Sequence, residues 1–237
     1  MAKLCLVFDL DDTLYAERDF AVSAFAEAGH WAEATHGIVG LADDMTALLD
    51  AGHLGQIFTL ALQARLPGCS QADLDALRRV YLAHAPTRLA LFDDAQSALD
   101  QFTRADVRLG LITDGTAKVQ AAKIDALGIT DRFQHCILTG ALGDRPGDRA
   151  FHKPHPRAFE LMQAALAEPG DRLVYVGDNP AKDFQAPNRL GWTTVQVDRP
   201  QQRAFNIHRG AEPLPGGGAH HVVAGLDALT ALLALAG

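Results

Sequence analysis

Leu6-Val7-Phe8-Asp9-Leu10-Asp11-Asp12-Thr13-Leu14-Tyr15 turns from apolar to acidic within a few residues, and the chain is organised around that break. With Leu4 ahead of it, the apolar run reads as a strand buried on both faces, and Asp9, Asp11 and Asp12 stand at its carboxyl end. Side chains alternate along an extended backbone, so Asp9 and Asp11 emerge on one side if the strand geometry persists for two more residues. Two carboxylates facing one crevice repel unless a cation or a shared proton lies between them, which points to a metal or to divided acid and base roles. The alternative is a polar turn closing a strand, since Asp is a common turn residue.

Composition limits what such a site can belong to. At 237 residues, 48% hydrophobic and 21% charged, the chain can bury a large core and fits one big domain or one domain with an insertion. The net charge of −8 and the lack of a Lys/Arg block provide no footprint for nucleic acid, so a small ligand is the expected partner. Cys5, Cys69 and Cys136 are odd in number and widely spaced, with neither metal-ligand spacing nor a pairing pattern, and read as buried free thiols of a reducing compartment. Without a basic leader or long apolar segment at its start, and with an apolar tail from Ala228 to Ala236 too short to cross a bilayer, the chain is expected to be cytoplasmic.

From Ala16 to about Pro86 the pattern is helical, with Phe20, Ala24 and Ala28 on one stripe and Ile57, Leu60, Ala61 and Ala64 on another. Ser70 and Asp73 form a start signal ahead of Leu74, Leu77 and Tyr81. His30, His36, His53 and His84 form no tight ligand pair, and read as surface or interior residues of a helical bundle. Arg18, Arg65, Arg78, Arg79 and Arg88 could include a substrate contact, but nothing selects one of them.

After Leu89, helices and strands alternate: helix 94–103, strand 109–112, helix 116–127 closed by Gly128, then strands near 136–138, 173–176 and 194–197. That alternation predicts a parallel sheet with helices on both faces, whose ligands bind beyond the carboxyl ends of the strands. A short strand at 221–223 and a helix at 226–235 would follow an irregular, mobile loop from Arg199 to Gly218.

Three further strand ends carry chemistry-bearing residues. Thr113-Asp114-Gly115, ahead of a helix start at Thr116, suits an anionic oxygen such as one of phosphate, and is equally an ordinary capped turn. Lys153 lies in Phe151-His152-Lys153-Pro154-His155-Pro156, where two prolines stiffen its support before a helix from Arg157 to Leu166; a fixed ammonium neutralises phosphate, while many loop lysines are simply solvated. Gly177-Asp178-Asn179-Pro180 closes the strand of Val174 and Val176, with Asp183 placed on the next helix. Oxygen ligands from Asp9, Asp11 and Asp178 suit Mg²⁺, and soft-metal ligands are missing.

Together, Asp9-Leu10-Asp11-Asp12-Thr13, Thr113-Asp114-Gly115, Lys153 and Gly177-Asp178-Asn179-Pro180-Ala181-Lys182-Asp183 resemble the four ordered motifs of the haloacid dehalogenase superfamily across essentially the whole chain. The helical insert resembles the α-helical cap of its first subfamily, and Phe8–Tyr15 with Gly177–Phe184 is similar to the nucleotidase and sugar-phosphate phosphatase group. The resemblance implies an α/β protein with a Rossmann-like parallel sheet core, residues 1–15 and 87–237, and a small α-helical cap, residues 16–86. It implies a nucleophile at Asp9 that forms an aspartyl phosphate, and an acid and base at Asp11. It implies Mg²⁺ on the Asp9 and Asp178 carboxylates and the Asp11 carbonyl, with phosphoryl oxygens held by Thr113 and the Asp114 amide. Lys153 would offset charge on nucleophile and phosphate, and Asp183 would orient Lys153 or a metal-bound water. The approach from Gly140 to Arg149 is longer and looser than the family pattern; Lys153 is preferred to Lys118, Lys123 and Lys182, which fall on or beside helices.

The implied function is a Mg²⁺-dependent phosphatase acting on a small phosphorylated metabolite, a nucleoside monophosphate or sugar phosphate, as a monomer or homodimer without membrane or nucleic-acid partners. Asp11 argues against cleavage of a carbon–halogen bond, which needs no acid there, and the lack of any lysine between Lys3 and Lys118 argues against phosphonate cleavage. A phosphomutase of the same superfamily uses the same residues. From another class, a non-hydrolytic phospho-acceptor signalling domain also places acids, Thr and Lys at such an edge, but it lacks the helical insert.

Overall fold

The computed structural model describes residues 2–144, 148–202, 206 and 210–234. Pro146 and Gly147 of the Gly140–Arg149 approach, parts of the Arg199–Gly218 loop, and Leu235 of the last helix lie outside the described residues. Six strands, β1 (Leu4–Phe8), β2 (Arg108–Thr113), β3 (His135–Leu138), β4 (Arg172–Gly177), β5 (Thr193–Val197) and β6 (His221–Val223), form one parallel sheet in the order β3-β2-β1-β4-β5-β6. The chain runs outward from β1 through β2 to β3, then returns to the other side of β1 for β4. The strand order therefore reverses at β1, and the crevice between β1 and β4 is where such sheets bind ligands.

Nine helices are described: α1 (Glu17–His36), α2 (Leu41–Asp50), α3 (Ile57–Arg65), α4 (Gln71–Ala83), α5 (Asp93–Arg104), α6 (Ala117–Ala126), α7 (Arg157–Leu166), α8 (Gln185–Arg189) and α9 (Ala228–Ala234). Strand alternation divides the core between two faces. Leu6, Phe8, Val174 and Val176 pack with α5, α6 and α9, whereas Cys5, Val7 and Tyr175 pack with α7, α8 and Trp192. Each fully buried Leu, Val or Phe contributes about 1.5–3 kcal/mol, so a one-residue slip of β1 would exchange two well-filled faces and is strongly disfavoured.

Helices α1–α4 hold an apolar cluster of their own, centred on Phe25, Leu41, Met45, Leu62 and Leu77. Phe20 and Ala24 on the same α1 join the sheet's cluster instead, so this helix packs in both directions. Ser70 caps α4 as its sequence predicts, with Asp73 completing a reciprocal capping box. Arg18 and Arg65 grip Asp50 and Asp44 within this layer, which accounts for two of the insert's cations.

Three details differ from expectation. Asp183 precedes α8, which starts only at Gln185, because residues 179–183 first form a tight turn in which Asp183 N donates to Asn179 O at 3.0 Å. The last helix begins at Ala228 rather than Leu226. Cys5 is buried as predicted, whereas Cys69 is only half-buried and Cys136 is exposed, since β3 is an outer strand with one side uncovered. No helix among the described residues is long and apolar enough to cross a membrane.

Candidate active site

The parity that sorts β1 between its two faces also aims Asp9. It follows Cys5 and Val7, and its carboxylate reaches the side on which α7 packs. There Asp9 Oδ1 lies 2.9 Å from Lys153 Nζ and accepts the Leu10 amide at 2.8 Å, while Asp9 Oδ2 is buried with no hydrogen-bond partner. Asp178 follows β4, the strand beside β1, and Asp183 returns beneath it through the turn that Gly177 permits. A Cβ at Gly177 would stand 2.5 Å from Asp183 Oδ2. Carboxylate oxygens of Asp9, Asp178 and Asp183 all lie within 4.8 Å of one another, and all three residues are buried.

Lys153 is the counter-charge to this group. Its side chain is 0% exposed, and its ammonium contacts Asp9 Oδ1, Asp183 Oδ1 at 2.7 Å and the Tyr175 hydroxyl at 2.9 Å. Burial would depress this ammonium, but Asp183, Asp9 and Asp114 outweigh it and keep the lysine charged. Lys153, even with the nearby charge of Lys182, does not balance three carboxylates. Burial, opposed by Lys153 and reinforced by the charge of Asp183, pushes Asp9 up to about 6. Burial and then the charges of Asp183 and Asp9 hold Asp178 well above the usual carboxylate range. The cluster therefore carries unbalanced acid and buried oxygens without hydrogen bonds on Asp9 (Oδ2) and Asp183 (Oδ1), and its donors are all hard oxygens. Those features fit a small divalent cation such as Mg²⁺. Asp183 Oδ2 accepts the Asn179 amide and Oδ1 is ion-paired with Lys153, while Asp178 accepts Thr13 Oγ1 at 3.4 Å on Oδ1 and Asn206 Nδ2 at 3.0 Å on Oδ2.

Asp11 does not share the side of Asp9. The strand ends at Phe8, and Asp12 takes a left-handed backbone with φ +55°, so the alternation expected from the sequence stops before it reaches Asp11. Its carboxylate turns instead toward α6. It accepts Tyr15 Oη at 2.6 Å and Lys123 Nζ at 2.8 Å on Oδ1, and Gln120 Nε2 at 2.8 Å on Oδ2. The Asp11 carboxylate is thus outside the three-carboxylate group, whose third member is Asp183. Burial would raise Asp11, yet Lys123, Tyr15 and Gln120 overcome it and hold the group below the ordinary carboxylate range.

Gln120 also donates to Thr113 Oγ1, tying the end of β2 to Asp11. Asp114 Oδ1 accepts Thr139 Oγ1 at 2.8 Å and the Lys153 amide at 3.1 Å, so the Asp114 carboxylate fixes the neighbouring loops. Gly140 passes so close to the Gly115 carbonyl that any Cβ there would collide with it.

Lys123, Gln120, Tyr175, Thr139 and Glu17 escaped the sequence reading. Gln120 and Lys123 had a detectable signal: they lie on the same buried face of α6 as Val119 and Ile124, a place where polar residues need partners. Tyr175 had none, since an aromatic residue inside an apolar strand reads as core.

Lys123 also lies 3.7 Å from Glu17 at the start of α1 and 4.5 Å from the centre of the Phe20 ring. Burial and then the Asp11 charge push Glu17 up to about 8. A carboxyl raised by folding favours the fold in its protonated form, so its stabilising effect is full below its ordinary value near 4.5 and is lost as pH rises through about 8. Glu17→Gln should flatten this alkaline decline in the melting temperature measured between pH 5 and 9; a decline as steep as wild type's would exclude Glu17 as its source.

Residues 4–191 match the family of haloacid dehalogenase-like hydrolases. The chain is 28% identical to the glyceraldehyde 3-phosphate phosphatase of Methanopyrus kandleri over 205 residues, covering 82% of this chain and 83% of that one. It is 30% identical to the phosphoserine phosphatase of Thermus thermophilus over 112 residues, 47% of this chain and 42% of that enzyme. An (S)-2-haloacid dehalogenase of Pseudomonas is also similar, at 27% over 54% of this chain and 51% of its own. Among solved structures, a HAD-hydrolase of Bacillus subtilis, described as bound to magnesium, superposes with a TM-score of 0.68 at 17% identity, over 98% of this chain and 99% of that one.

Proposed function

The chain belongs to the haloacid dehalogenase-like hydrolases, and from that premise we propose that it is a Mg²⁺-dependent phosphatase acting on a small phosphorylated metabolite through an aspartyl phosphate on Asp9. The observation that carries this reading is the convergence of Asp9, Asp178 and Asp183 on one buried point with Lys153 beside them. The phosphatases among its relatives support a phosphate ester as substrate, a nucleoside monophosphate or sugar phosphate being the class carried from the motif resemblance. Helices α1–α4 would form the cap over the site.

Asp9 Oδ2, free of hydrogen bonds, attacks phosphorus while Oδ1 stays fixed by Lys153 and the Leu10 amide. The phosphorus–oxygen bond to the leaving alcohol breaks; for Asp11 to be the acid that the motif resemblance implies, its carboxyl has to turn from Lys123, Tyr15 and Gln120 and carry the proton that the alkoxide takes. In the second half-reaction Asp11, now a carboxylate stabilised by Lys123, Gln120 and Tyr15, takes a proton from the water that attacks phosphorus. The bond from phosphorus to Asp9 breaks, inorganic phosphate leaves, and Asp11 is again protonated for the next turnover. Mg²⁺ held by Asp9 and Asp178, with the Asp11 carbonyl that the motif resemblance implies, would offset negative charge on the carboxylates and the phosphoryl oxygens. Thr113 and the Asp114 amide hold those oxygens at the end of β2.

The test is a phosphate-release screen over many monoesters. Release is expected with Mg²⁺, is lost on chelation and returns when Mg²⁺ is restored; release undiminished by chelator would overturn the metal dependence. A phosphomutase would release little phosphate and would need a bisphosphate activator, so steady release without one separates the two. Halide release from 2-haloacids is expected to be absent.

A further inference from the structure

Lys153 Nζ donates to Tyr175 Oη at 2.9 Å and is ion-paired with Asp9 Oδ1 at 2.9 Å and Asp183 Oδ1 at 2.7 Å, on a side chain with no exposure. It can cancel charge, but its ammonium is enclosed by these three oxygens and shut off from solvent, so an arriving phosphoryl group would reach it only by displacing one of them. Other buried cations at this edge of the sheet are likewise engaged: Lys123 with Asp11 and Glu17, and Arg199 with Asp94 and the Asp12 carbonyl.

Lys182 differs from all of them. It lies in the turn between Asp178 and Asp183, its side chain is 23% exposed, and its ammonium pairs with Asp114 Oδ2 at a loose 3.5 Å. The turn beneath it is rigid: Lys182 N donates to Asn179 O at 3.2 Å, and Ala181 N to Asn179 Oδ1 at 3.0 Å. An ammonium on a fixed support, beside the residue whose amide is proposed to hold phosphoryl oxygens, keeps donors free for solvent or ligand.

We propose that Lys182, rather than Lys153, is the side-chain donor that captures the dianionic phosphoryl group, leaving Lys153 to neutralise the Asp9 nucleophile. This rests on the phosphatase reading above and divides between two lysines a task that the motif resemblance places on one. Burial and the charge of Lys153 both work against Lys182, yet Asp9, Asp183 and Asp114 outweigh them, so it arrives at the ligand charged. Being on the turn that carries both Asp178 and Asp183, it moves with the carboxylates and not with the cap.

The experiment compares wild type, Lys182→Gln and Lys182→Arg, all with Mg²⁺. Binding of inorganic phosphate is measured by calorimetry, KM and kcat by phosphate release, and folding by melting temperature. Loss of one charged hydrogen bond to the ligand should weaken phosphate binding and raise KM in Lys182→Gln by roughly 10- to 100-fold, with kcat changed by only about threefold. Lys182→Arg should recover most of the binding. Unchanged phosphate binding and KM in Lys182→Gln, whatever happens to its melting temperature, would reduce Lys182 to a partner of Asp114 and overturn the inference. Wild type that binds phosphate through Lys182 but releases none from any monoester would overturn the phosphatase reading and leave this assignment standing. Wild type that binds no phosphate overturns the assignment itself.

Discussion

Asp9→Asn is expected to reduce phosphate release by roughly four orders of magnitude or more, the scale on which loss of a nucleophile acts in enzymes that pass through a covalent intermediate. An amide cannot form the phosphorus–oxygen bond, so acid-quenched wild type should carry a phosphoryl adduct that the variant lacks. The fold should not suffer. Burial and the neighbouring Asp183 push the Asp9 carboxyl up to about 6, so its protonated form is the one that folding favours. Its contribution to stability is full below its ordinary value of 3.8 and is lost as pH rises through about 6. An asparagine does not ionise, and metal-free Asp9→Asn should therefore melt at least as high as metal-free wild type above pH 6. A variant with near-wild-type turnover, or wild type with no adduct under any quench, would remove Asp9 from the chemistry.

Lys123→Met is expected to damage both stability and rate. The lysine is 3% exposed and pairs with Asp11, so its loss leaves a partly buried carboxylate without its cation, joined by Glu17 only where pH exceeds about 8. Breaking a buried pair from one side costs about 3–5 kcal/mol, and the lower end applies here because Asp11 and Glu17 keep some contact with water. At about 2–4 °C per kcal/mol for a chain of this size, the melting temperature should fall by about 6–12 °C. With Asp11 no longer held by its strongest donor, kcat should fall roughly 10- to 100-fold, the usual consequence of removing a residue that orients a reacting group. Adding Glu17→Gln to Lys123→Met removes the neighbour that ionises as pH rises through about 8, and should restore part of the stability at alkaline pH but little of kcat. Additive losses in the double variant would mean that the two side chains do not communicate.

The parts of this molecule legible in its sequence are those that depend on one local pattern. Alternating apolar strands and helices read directly as a parallel sheet, and strands β2 to β6 lie within one or two residues of their expected positions. Acids following β1 and β4 could be placed at one edge because parallel strands all end on the same side. Lys153 could be picked from four lysines because its prolines mark it. Ser70 announced its capping box through spacing alone.

The site's wiring was not legible, since it depends on contacts between residues far apart in the chain. Whether Asp11 joins Asp9 depends on where strand geometry stops: β1 ends at Phe8, and the Asp11 carboxylate lies against Lys123 of α6. Tyr175 looks like core until Lys153 is seen beneath its hydroxyl, and Lys182 looks like a surface lysine until its ammonium is seen beside Asp114 while that of Lys153 is enclosed.

Sequence by itself determined the layered architecture, the edge at which chemistry is placed and the family, because hydrophobic period and strand-end composition are local properties of the chain. Only the tertiary structure decided which carboxylates converge, which lysine serves which charge, and which helix holds Asp11. Those choices follow from desolvation and pairing of charges brought together across more than a hundred residues, and no local pattern encodes them.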